Sequence, residues 1–98
     1  MGIEEFTGPK DADYLRWLAE HQSGYVLNIE RSHNPSDACV HSASCRWISG
    51  TPPRGDFTSG QYVKICSESL TELDAWATRK TGSAIRRCGT CQPPGAVR

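Results

Sequence analysis

Apolar positions recur every three to four residues in two segments of the chain and every second residue in others, the patterns of helices and half-buried strands. Tyr14, Leu15, Trp17 and Leu18 form the first helical stripe. Asp11 or Asp13 can cap that helix, which runs to about His21 and is ended by Gly24. Tyr25, Leu27 and Ile29 then alternate with Val26, Asn28 and Glu30, predicting a strand that continues to Arg31. The following SHNPSD makes a turn, and Ala38 to His41 returns as a second strand with His41 at its end. Gln61 to Cys66 sets Tyr62, Lys64 and Cys66 against Val63 and Ile65, a third strand with both faces partly covered. Ser69 with Glu72 three residues on is a capping box, and Leu70, Leu73, Trp76 and Ala77 are the stripe of a second helix. Arg79 and Lys80 suit that helix's negative end, Gly82 supplies a left-handed stop, and Ala84 to Arg87 is extended.

The segments without periodicity complete the layout. Residues 1–10, with Gly2, Gly8 and Pro9, read as a flexible leader; Ser49 to Gly60, rich in Gly, Pro and Ser, reads as a surface loop suited to recognition. One domain over residues 11–94 and a short tail over 95–98 follow, since 98 residues supply a single core. The expected class is a small α+β fold, an antiparallel sheet of about three strands with two helices. With 37% hydrophobic residues the core is thin for the length, so a staple would help it. No stretch approaches the roughly 18 apolar residues of a membrane span, and no basic segment followed by an apolar run opens the chain. A cytoplasmic location is expected.

Five cysteines are an odd number, and reducing surroundings disfavour disulfides, so metal ligation becomes the leading explanation for them. Cys88-Gly-Thr-Cys91 is C-x2-C, in which a tight turn brings two thiolates to adjacent corners of a tetrahedron. His41-Ser-Ala-Ser-Cys45 is H-x3-C, which brings an imidazole and a thiolate to one metal from a helical turn or a strand-to-turn corner. His41, Cys45, Cys88 and Cys91 are therefore the candidate ligands of one structural zinc, a closed site with no position left to activate water. Pro93 and Pro94 argue against a helix after Cys91 and hence against a thioredoxin-like redox pair, and Gln92 excludes haem attachment. Cys39 and Cys66 read as buried thiols outside the metal shell, although either can substitute as a ligand. His21 and His33 have no partner spacing and read as surface residues.

Net charge is zero, but residues 1–37 hold seven acids and three bases, and residues 38–98 four acids and eight bases, giving −4 and +4. A neutral whole argues against a bulk electrostatic clamp on DNA, whereas the basic half can form a local anion-binding patch. No Ser-His-Asp set, phosphate-cradling glycine loop or paired-carboxylate motif points to an enzyme or to a small-molecule substrate.

The arrangement VHSASCRWI, a helix, then RRCGTCQP resembles the metal-binding domains of the Ada-like DNA-repair family over roughly residues 38–94. Ada-type methyl acceptors use four cysteines, one of them nucleophilic; His41 stands in place of one thiolate here, which argues against methyl transfer. DADYLRWLAEHQSGYVLNIERS followed by VHSASCRWISG is similar to a small bacterial domain, some of whose relatives accompany restriction or other nucleic-acid-processing enzymes. These resemblances imply DNA binding, with Arg46, Arg54, Lys64, Arg86 and Arg87 available for phosphate or base contacts and Trp47 as a stacking surface. The alternative is a protein-interaction adaptor with a purely structural zinc; a redox sensor built on Cys88 and Cys91 is a third class.

Overall fold

The computed structural model describes residues 2–45, 48, 58 and 60–89. Strand β1 (Glu4–Phe6) is followed by helix α1 (Asp11–Glu20), strand β2 (Tyr25–Glu30), a 3-10 turn (Pro35–Asp37), strand β3 (Cys39–Ser42), strand β4 (Tyr62–Ser67) and helix α2 (Leu70–Thr81). The strands form one antiparallel sheet in the order β1-β4-β2-β3. The α+β class holds, with four strands where about three were expected. The extra strand is Glu4–Phe6 within the expected leader, too short to show a period of its own but pairing Phe6 with Lys64 and Glu4 with Cys66.

Alternation along the strands divides the core in two, because successive side chains leave opposite faces of a sheet. Leu27, Ile29, Val40, Val63 and Ile65 meet Leu73, Trp76 and Ala77 of α2 on one face. Val26 and Cys66 meet Phe6 and Tyr14, Trp17 and Leu18 of α1 on the other. The central strands β2 and β4 are thus covered on both sides, which explains why β4 is buried from Val63 to Ser67.

The helix ends show where local chemistry was rerouted. Ser69 caps α2 by accepting from Glu72 N at 3.2 Å, while the Glu72 carboxylate accepts from Gly2 N at 2.7 Å and so ties the N-terminal segment to the helix. Gly82 stops α2 in the left-handed region at φ 75°, its N–H bonded to Thr78 O. The cap position of α1 falls to Lys10 without a side-chain bond. Asp11 instead accepts from the backbone N–H and the hydroxyl of buried Thr58, each at 2.9 Å, anchoring the connection between β3 and β4 to the start of α1. Gly24 lies past the end of α1 and serves close packing: a Cβ there would stand 2.7 Å from Trp17 Cη2.

Candidate metal centre

The outer edge of the sheet builds the site. Beyond β3, residues 86–88 run parallel to it: Val40 N donates to Arg86 O at 2.9 Å, and Cys88 N donates to Val40 O at 2.8 Å. Val40 points into the α2-side core, so its neighbours Cys39 and His41 face the α1 side, where Cys39 packs on the cluster that contains Cys88. The Sγ atoms of Cys39 and Cys88 and a ring nitrogen of His41 all lie within 4.8 Å of one another, a group that can hold a metal ion.

Its donors suit a metal of zinc's type: two sulfurs and an imidazole. His41 is 7% exposed, and its Nδ1 is buried with no hydrogen-bond partner among the described residues. A buried polar atom without a partner costs about 1–3 kcal/mol, and coordination to a metal would remove that cost. Burial, with the charges of Lys64 and Arg86 adding to it, lowers the His41 pKa to about 4, leaving the ring neutral as a ligand must be. A free imidazole titrates near 6.5, so the unfolded chain takes up this proton first as the pH falls. The metal-free protein therefore keeps the full contribution above about pH 6.5 and loses it as the pH approaches about 4. Urea unfolding of the metal-free chain is expected to show a slope approaching one proton in that window, and His41→Gln to remove it; a slope unchanged by the substitution would assign it elsewhere.

Of the ligands expected from spacing, His41 and Cys88 are brought together. Cys91 lies outside the described residues. Cys45 is buried in the same apolar cluster as Cys88, and the third member of the group among the described residues is Cys39. Strand β3 ends at Ser42, and residue 45 follows on a turn closed by Cys45 N to Ser42 O at 2.9 Å. The signal that could have identified Cys39 is C-x-H within a strand, since residues two apart share a face. Cys66 lies on β4 beside Val26, wholly buried, and burial pushes its thiol pKa up.

The expected nucleic-acid contacts separate sharply. Lys64 is 6% exposed and donates to Asn28 Oδ1 at 2.7 Å, with its ammonium 5.9 Å from the centre of the Tyr14 ring. Arg87 forms a two-pronged pair with Asp74 of α2 at 2.8 and 2.7 Å, its side chain 7% exposed. Both cations are directed into the protein, so neither presents an open charge to a phosphate. Arg86 is exposed beside the metal group. Arg46, Arg54 and Trp47 lie outside the described residues. His21 and His33 are half-buried against tryptophans, His21 stacked on Trp17 at 4.4 Å and His33 edge-on to Trp76 at 5.1 Å.

No protein-family model, no curated protein and no solved structure matches this chain. Among the described residues, no helix is long and apolar enough to cross a membrane.

Proposed function

We propose that this chain is a zinc-stapled nucleic-acid-binding module, most simply a DNA-binding one, in which the ion is structural and the surface beside it makes the contact. The observation that carries the metal half of this reading is the convergence of Cys39, His41 and Cys88, with a buried His41 nitrogen that has no hydrogen-bond partner among the described residues. Cys91 is the proposed fourth ligand because C-x2-C spacing lets it reach an ion already held by Cys88. Four protein ligands leave no position for water, so the ion's contribution is to lock residues 86–88 onto β3.

Support for the nucleic-acid half is the exposed Arg86 next to that lock, together with Arg46 and Arg54, which the sequence places close to Cys45 and in the following loop. With Lys64 and Arg87 turned inward, the contact is smaller than composition suggests, about one to three phosphates. Duplex binding should weaken as salt rises, with a log–log slope of about −1 to −3. No binding to duplex DNA at low salt would sink this half and leave the metal half standing. A protein-interaction adaptor is the second reading, favoured by the inward placement of those two cations. It gains if the chain captures a protein partner and ignores DNA.

A further inference from the structure

Resting on the zinc reading above, we infer that the Asp74–Arg87 pair positions the metal ligand Cys88, so that the site is preformed before the ion arrives. Residues 83–88 belong to no helix or named strand, yet Cys88 must meet Cys39 and His41 to within 4.8 Å. Three restraints hold this segment. Ile85 is buried in the α2-side core, Val40 exchanges backbone hydrogen bonds with Arg86 and Cys88, and Arg87 is clamped by α2.

The clamp is the restraint that acts on direction. Arg87 donates through both terminal nitrogens to the two carboxylate oxygens of Asp74, and one of them also reaches back to Ile85 O at 3.3 Å. The fork geometry fixes the guanidinium plane as well as its position, which a single hydrogen bond would not do. In extended backbone adjacent side chains leave on opposite sides. Holding Arg87 on the α2 face therefore turns Cys88 to the α1 face, where Cys39 and His41 wait. Asp74 acts on the metal only through Arg87 and Cys88, as outer-shell partners of metal ligands do.

The test uses the full chain, with Zn²⁺ affinity read by competition against a chromophoric chelator and site geometry read from the ligand-field spectrum of bound Co²⁺. Asp74→Asn is expected to weaken zinc about 10- to 100-fold and to alter the Co²⁺ spectrum at temperatures where circular dichroism shows the metal-free variant folded. Asp74→Glu should restore part of the affinity. Arg87→Met removes the clamp without stranding a buried charge, and it should weaken zinc comparably; if Asp74→Asn does not fold, this variant decides. Wild-type affinity and an unchanged spectrum in folded Arg87→Met or Asp74→Asn would overturn the positioning role. Failure of the wild-type chain to bind zinc would instead remove the reading on which the role rests.

Discussion

Cys39→Ser is expected to abolish tight metal binding, whereas Cys45→Ala keeps it. The two thiols are equivalent on grounds of composition, and spacing from His41 favours Cys45. The strand favours Cys39 in this prediction: Cys39 and His41 are two residues apart in β3 and share the face that Cys88 approaches, while Cys45 follows beyond the strand's end. Loss of a direct ligand should cost more than the about 10- to 100-fold that removal of an outer-shell partner costs. Cys45→Ala keeps a small apolar side chain in a buried place, so the fold should tolerate it. Chelator competition and mass spectrometry under non-denaturing conditions read both variants. Tight metal in Cys39→Ser together with loss in Cys45→Ala would assign the site to H-x3-C instead.

Trp76→Ala is expected to be the most destabilising core substitution, by about 3–5 kcal/mol. Trp76 is 1% exposed in the α2-side core, and its indole N–H donates to Glu5 Oε2 at 3.0 Å. It therefore joins three parts of the fold, namely the sheet, α2 and edge strand β1. Small domains are stable by only about 5–15 kcal/mol in all, so the loss takes a large share. Trp76→Phe retains most of the apolar surface and forfeits the hydrogen bond, and should cost about 1 kcal/mol for that bond plus the smaller ring's lost contacts. Urea unfolding at saturating metal measures both. A change below about 1 kcal/mol for the alanine variant would show that this contact does not hold the sheet to α2.

Local pattern was enough for most of the fold. The capping box at Ser69, the stripe through Leu73, Trp76 and Ala77, and the stop at Gly82 locate α2 to the residue, because each is a short-range signal. Leu15, counted in the first stripe, is 38% exposed: α1 presents only a narrow face to the sheet, and Tyr14, Trp17 and Leu18 fill it. What was illegible is long-range. Nothing near residues 86–88 announces that they will lie parallel to β3, and that pairing is what admits Cys39 to the metal group. Lys64 shows the same limit from another side. Alternation assigns it to a covered face, but its charge suggests a surface contact; the Asn28 carbonyl and the Tyr14 ring that receive it come from elsewhere in the chain.

The most direct test of the central claim is the metal content of the purified chain, compared with that of His41→Ala and Cys88→Ser. The wild-type chain should carry about one zinc, the ratio of a closed four-ligand site, and each variant should carry essentially none. A wild-type chain that takes up no zinc when it is supplied, or variants that hold it as fully as the wild type, would contradict the claim that Cys39, His41 and Cys88 form a metal centre.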